Sequence, residues 1–313
     1  MKPILVTGWN DSGAGLLLRS LDGAPGLLCL PFEAILGAPC PAGISGQVGL
    51  VSAGYRWNAF RDPSEFATHW TARTRSPREL FSESELYMWL HGRKFFELAP
   101  MRAQVRKALG DFWSKNLPSD GVESVSLTRA YLAQLGVVFG GNGPETKRLV
   151  VHCPSMALDL GHPAARVLFD FVVAVQIHPA WGFGNMTIRN GISLERYLAR
   201  WWTVNSATLR LRRSGREDLL VVTTSAEVGV NRQNAASVYE FVTGRQIDPR
   251  SLAPTLLGGS GIAGTYPYGG LSRVDREAMS EAEGITRAAL SVASGSVRER
   301  YRSCLDIYGE LSA

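Results

Sequence analysis

No two of the four cysteines, Cys29, Cys40, Cys153 and Cys304, form a C-x-x-C pair, and no Cys/His group has the spacing of a zinc site. The sequence therefore predicts free thiols in a reducing compartment and argues against a metal or dithiol centre. Blocks of basic residues are also missing. The 33 Lys and Arg exceed the 28 Asp and Glu by a formal +5 spread along the chain. That excess permits an anionic ligand but leaves no nucleic-acid footprint. No basic stretch leads into an apolar segment and a small-residue cleavage site at the start. The longest apolar run, near 167–177, is broken by Asp170 and Gln176 and is too short to span a bilayer. These absences predict a soluble, cytoplasmic protein with no membrane and no nucleic-acid partner. No internal repeat is visible.

What is present is an ordinary globular composition, 45% hydrophobic and 19% charged with mean hydropathy −0.02, over 313 residues. Ile4-Leu5-Val6-Thr7, ended by Gly8, reads as a buried parallel strand. The turn formers WNDSGAG follow, and then LLLRSLDG, a helix stopping at Gly23. Residues 37–55 read as an irregular insertion rich in Gly and Pro, and helix-compatible patterns follow through 62–115 and 122–135. Arg148 to Val151 and Phe171 to Val175 are two β-prone runs, each followed by a proline-containing break. Ser193 opens a helix that extends to Leu211, strand returns at Leu219 to Val222, and Ala235 to Val242 is a helix ended by Gly244. GGSGIAGTYPYGG (258–270) is a glycine-rich loop, and 276–311 is mostly helical. This alternation predicts an α/β three-layer sandwich around a mainly parallel sheet.

Gly8-Trp9-Asn10-Asp11-Ser12-Gly13-Ala14-Gly15 keeps the G-x-x-x-x-G spacing of a Walker A loop. Ala14 and Gly15 stand where that motif needs lysine and a hydroxyl, so ATP or GTP hydrolysis is disfavoured. The longer stretch VTGWNDSGAGLLLRSLDGAPGLLCLPFE resembles the opening of PAPS-dependent sulfotransferases. The matching pieces are Ser12-Gly13, Leu16 to Leu18, Leu21-Asp22, Pro25 and Glu33. His152-Cys153-Pro154 occupies the place of the family's Lys-x-Pro element, and IHPAWGFGN (177–185) that of its 3′-phosphate segment. Ser193, Trp201, Asn205, Phe241, Gly244 and Pro249 continue the likeness. The resemblance covers 1–37 and about 148–250. It implies the P-loop-like sulfotransferase fold as a single domain over 1–313, with a helical insertion at about 56–135 forming the acceptor side. It also implies a donor loop built from Gly8, Asn10, Ser12, Gly13, Ala14 and Gly15, with Asn185 at the 3′-phosphate.

The departures bear on activity. Asp11 aligns with the family's basic loop residue, Ala14 and Gly15 with its hydroxylated pair, and His152 with its lysine. Ile177 and Asn185 align with the arginine and serine of the 3′-phosphate site. Sulfuryl transfer needs cationic and N–H donors on oxygens that accumulate charge. Each lost charge-assisted bond costs on the order of 1.5–3 kcal/mol, so three or four losses argue against conventional PAPS or PAP binding.

Several ionisable groups remain. The resemblance implies Glu33 as a general base, and His152 and His178 each follow a β-prone run, where α/β proteins place ligand-binding residues. With Asp11 they make a constellation able to move protons, against the competing reading of structural histidines and a capping Glu. A metal held by Asp11, His152 and His178 lacks supporting spacing, and none is expected. Trp57, Trp70, Trp89 and Trp113 suit either core or acceptor pocket, while His69, His91 and His162 read as surface or structural. Arg19 and Arg189 suit either the surface or substitute donor contacts.

Three functions fit. The favoured one is a sulfotransferase-like enzyme for a small hydroxylated metabolite, suited to natural-product tailoring, in which the altered donor site serves acid/base chemistry. The others are a PAPS-dependent sulfotransferase with substitute contacts and a non-catalytic ligand- or partner-binding relative.

Overall fold

The computed structural model describes residues 2–8, 12–33, 129, 132–137, 147–153, 160, 168–224, 232–252, 255–256, 264–265 and 276–313. Asn10, Asp11, Cys40, the four mid-chain tryptophans, His69, His91 and His162 lie outside the described residues, as does all of the segment 56–135 except 129 and 132–135. Glu33, Asn185 and Arg189 enter as backbone positions.

Five short apolar runs form one parallel sheet: β1 (Ile4–Gly8), β2 (Leu27–Glu33), β3 (Arg148–His152), β4 (Phe171–Ile177) and β5 (Leu219–Thr224). Their spatial order is β2-β3-β1-β4-β5. All five residues of β1 are buried, as a central strand covered on both faces requires. Among the described residues, 132–137 are helical, and the α-helices with defined bounds are α1 (Ala14–Leu21), α2 (Pro179–Asn190), α3 (Leu194–Arg213), α4 (Arg232–Thr243), α5 (Arg276–Val292) and α6 (Gly295–Ser312).

From β1 through α1 to β2 the chain moves to one side of β1, and from β4 through α3 to β5 it moves to the other. Right-handed connections then place α1 and α3 on opposite faces. Side-chain alternation agrees. Ile4, Val6, Val150, Val173, Val175 and Val222 pack with α1 and α4. On the far side, Phe183, Tyr197, Trp201, Val204 and Cys304 join α2, α3 and α6. Fully burying one such leucine or valine stabilises the fold by roughly 1.5–3 kcal/mol. The sheet with helices on both faces is the expected α/β sandwich.

Local chemistry explains the ends of the elements. Gly13, at φ 91°, is the N-cap of α1, a left-handed conformation that favours glycine. Ser193 Oγ accepts from Arg196 N and caps α3 as its sequence suggested. Two expectations need correction. Helix α1 begins at Ala14, so Ala14 and Gly15 form its first turn rather than the loop. The proline break after β4 is itself a helix, α2, with Pro179 in its first turn, where the missing N–H costs nothing. The glycines of α2 serve packing: a Cβ at Gly184 would strike the backbone of Ala282, and one at Gly182 the hydroxyl of Tyr197. A short antiparallel pair joins β6 (Thr255–Leu256) to β7 (Gly264–Thr265), which lies within the stretch 258–270 that the sequence reads as loop.

Candidate functional site

At the carboxyl ends of the strands stand Glu33, His152, Gly8, Ile177 and Thr224, in the order β2, β3, β1, β4, β5, and these ends are staggered: His152 is level with Val173, Gly8 with Val175 and Ile177 with Thr224. Strand order reverses beside β1, and ligands of open α/β sheets bind at such a point.

The end of β1 lies tightly against Ser12 and β4. A Cβ at Gly8 would collide with the Ser12 hydroxyl and the Val175 carbonyl, so the strand end requires glycine. Thr224 Oγ1 lies 2.9 Å from the Gln176 carbonyl and 3.5 Å from that of Ser12, joining the turn to β4 and β5. Ser12 is 2% exposed, and its Oγ has no hydrogen-bond partner among the described residues. Beside it stands the first turn of α1, whose leading N–H groups have no intrahelical acceptor. Hydroxyl, N–H groups and helix dipole together can hold an anion. Ala14 is buried and apolar, and Ile177 supplies no charge.

His152 terminates β3 in register with Val6 on one side and Glu33 on the other; a register shift between Cys29 and Glu33 brings the carboxylate residue level with it. It lies two residues beyond Val150 and therefore shares the α1 face. Burial, and secondarily the Arg19 guanidinium, lowers its pKa to about 4, so the imidazole is neutral at pH 7. Arg19, in the last turn of α1, is itself buried rather than on the surface. Its charge is felt by both His152 and Cys29, and burial pushes the Cys29 thiol well up.

His178 does emerge at the end of β4, but it stands apart from His152. β1 separates β3 from β4 by two interstrand spacings, about 10 Å, and His152 is level with Val173, so His178 also lies well further along the strand direction. His178 is the N-cap of α2, with Nδ1 accepting from Ala180 N at 3.3 Å. Its ring packs against Trp181 at 4.5 Å and, edge-on, Tyr308 at 5.0 Å. Burial lowers its pKa, opposed by Glu283, which accepts from Trp181 Nε1 at 2.7 Å. With Nδ1 engaged, the neutral ring carries its proton on Nε2, so His178 can offer a ligand a donor rather than a base. The structure thus pairs Glu33 with His152 by register and places His178 on the other side of β1.

Sequence reasoning missed Thr224 and the structural network of His178, Trp181, Glu283 and Tyr308. Trp181 and Glu283 are 102 residues apart, a contact no local pattern signals. No group of three or more His, Cys, Asp or Glu among the described residues is placed to hold a metal ion. No described helix is long and apolar enough to cross a membrane.

The architecture is that of a sulfotransferase fold. The sulfotransferase domain of the Synechococcus PCC 7002 olefin synthase superposes with a TM-score of 0.50 at 15% identity, over 99% of this chain and 94% of that one. The sulfotransferase domain from the curacin biosynthetic pathway gives 0.47 at 13% identity, over 93% and 98%. No family model matches the sequence, and no curated protein matches it.

Proposed function

We propose that the chain is an enzyme that applies the sulfotransferase fold to a small hydroxylated metabolite, through acid/base chemistry at the ends of β2 and β3. One observation carries the reading. Where the resemblance calls for a lysine, a buried and neutral His152 stands in register with Glu33. A neutral imidazole brings no positive charge to a leaving phosphate, so the position suits proton handling better than sulfuryl transfer. In this reading Glu33 takes the proton of the acceptor hydroxyl, and His152 orients the reacting groups as an uncharged hydrogen-bonding partner. Asp11 adds negative charge unsuited to an anionic donor, and His178 offers its Nε2–H beyond the end of β4, across β1 from His152. The chain acts as one domain over 1–313, with about 56–135 forming the acceptor side. The olefin synthase neighbour lends support to a place in natural-product tailoring.

A second reading, PAPS-dependent transfer with substitute contacts, draws on the Ser12 hydroxyl before α1, which has no partner among the described residues, and on the buried Arg19. Calorimetry with PAP and PAPS separates the two. Micromolar binding favours the second reading and overturns the first. No binding, with loss of turnover in Glu33→Ala and His152→Ala on a hydroxylated substrate suggested by neighbouring genes, supports the first. If neither substitution alters any activity while the protein still binds a partner, a non-catalytic role replaces both.

A further inference from the structure

On the sheet face opposite α1, a seam of buried polar side chains runs between the strands and α3. Thr7, Asn205 and Thr208 are 0% exposed and Gln176 is 1% exposed. Thr7 of β1 stands level with Ala174 of β4, and Gln176 lies two residues further along the same face. Gln176 Nε2 donates to Thr208 Oγ1 at 3.3 Å, which ties the strand to α3. Asn205 lies one turn before Thr208, and its Nδ2 donates to the Trp201 carbonyl at 2.8 Å. Trp201 Nε1 donates to the Ile177 carbonyl at 3.0 Å, so Trp201, Asn205 and Thr208, which share one stripe of α3, face the end of β4 beside Gln176.

Three oxygens remain without a hydrogen-bond partner among the described residues: Thr7 Oγ1, Gln176 Oε1 and Asn205 Oδ1. Both amide nitrogens are already committed, which fixes which amide atoms are the oxygens. Those two oxygens can only accept, while the threonine hydroxyl can donate. Native interiors rarely leave such atoms unpaired. The seam therefore calls for a ligand with two donors and at least one acceptor.

We propose that this seam binds one ordered water, which donates to Gln176 Oε1 and Asn205 Oδ1 and accepts from the Thr7 hydroxyl. Three contacts are the usual complement of a buried water. A monovalent cation fits less well. It would leave the Thr7 proton without an acceptor, and none of the four seam residues is ionisable to offset its charge. The water would link β1, β4 and α3 directly beneath Gly8, bracing the strand end from which the donor-loop turn departs. The site is independent of which reaction the strand ends perform.

A double-mutant cycle in the full chain tests this, with Thr7→Val and Asn205→Leu followed by urea unfolding. These residues share no hydrogen bond, so without a bridge their effects on the unfolding constant should multiply. With the water in place, either substitution alone breaks its network. The double variant should then depart from the product of the singles by about fivefold or more. Thr7→Ser, which keeps the hydroxyl, should show no such coupling to Asn205→Leu. Agreement within about twofold for Thr7→Val, or equal coupling for Thr7→Ser, overturns the proposal. Replacing sodium and potassium chloride by choline chloride should leave the unfolding midpoint unchanged; a shift would assign the seam to a cation. If Asn205→Leu does not fold, an atomic-resolution crystal structure of the wild type decides. One water about 2.7–3.1 Å from all three oxygens is expected, and a dry seam overturns the idea.

Discussion

His152 should make the protein acid-sensitive in a defined window. In the unfolded chain its imidazole titrates near 6.5, whereas burial, with Arg19 nearby, holds the folded-state pKa at about 4. Above pH 6.5 both states carry the neutral ring, and its contribution to stability is complete. As pH falls, the unfolded chain takes up the proton first, so stability drains away until about pH 4 and then levels off. At about 1.4 kcal/mol per pH unit across this window, one residue withdraws roughly 3 kcal/mol, a large part of the margin of an ordinary domain. Urea unfolding of the wild type and of His152→Gln, at pH 7 and at pH 4, isolates this share. Glutamine cannot titrate, and His178, which titrates in the same direction, is common to both proteins. The wild type should lose roughly 3 kcal/mol more than the variant over this interval. Parallel losses would refute the reasoning. So would an NMR titration in which the His152 ring protonates near pH 6.5, a measurement that does not depend on the variant folding.

Gly8→Ala should destabilise the protein by about 1–3 kcal/mol, because the added methyl meets the Ser12 hydroxyl and the Val175 carbonyl. Gly15→Ala, whose Cβ meets nothing within 4 Å, should melt at the same temperature or higher, and equal losses in the two variants would show that the close approach at Gly8 is not what matters. In a Cys40→Ser background the buried Cys29, Cys153 and Cys304 should resist a thiol reagent at pH 8 until urea unfolds the chain. Burial pushes Cys304 up to about 12, so rapid labelling of that residue in the native protein would contradict its burial. Trp181→Phe removes the bond to Glu283 that ties α5 to α2 and should cost about 1 kcal/mol, read from the urea midpoint.

Periodicity and capping made most of the scaffold legible along the chain. Leu149 to Val151 and Val172 to Val175 are uniformly apolar because strands covered on both faces need no alternation. Ser193 announces α3 three residues before its bonded N–H, and Gly13 permits the left-handed turn into α1. These are local decisions, taken within a few residues. Helix α2 escaped because Pro179 reads as a break after the strand. The proline occupies the one turn that tolerates it, and Gly182 and Gly184 answer to Tyr197 and Ala282, which come from other helices.

The site divides along the same line. That Gly8 ends a strand and that His152 and His178 follow strands could be read from the apolar runs before them, since a strand's end is set by its own pattern. Their mutual placement could not. Glu33 stands level with His152 only because β2 and β3 pair in one register with an irregularity between Cys29 and Glu33. His178 is parted from both because β1, the first strand in sequence, inserts between β3 and β4. The neutral state of His152 likewise arises from burial under α1 and the charge of Arg19, 133 positions earlier in the chain (152 − 19). Hydrophobic periodicity is a property of neighbours in sequence. Register, strand order and desolvation are properties of neighbours in space, and these decide what the residues at the strand ends can do.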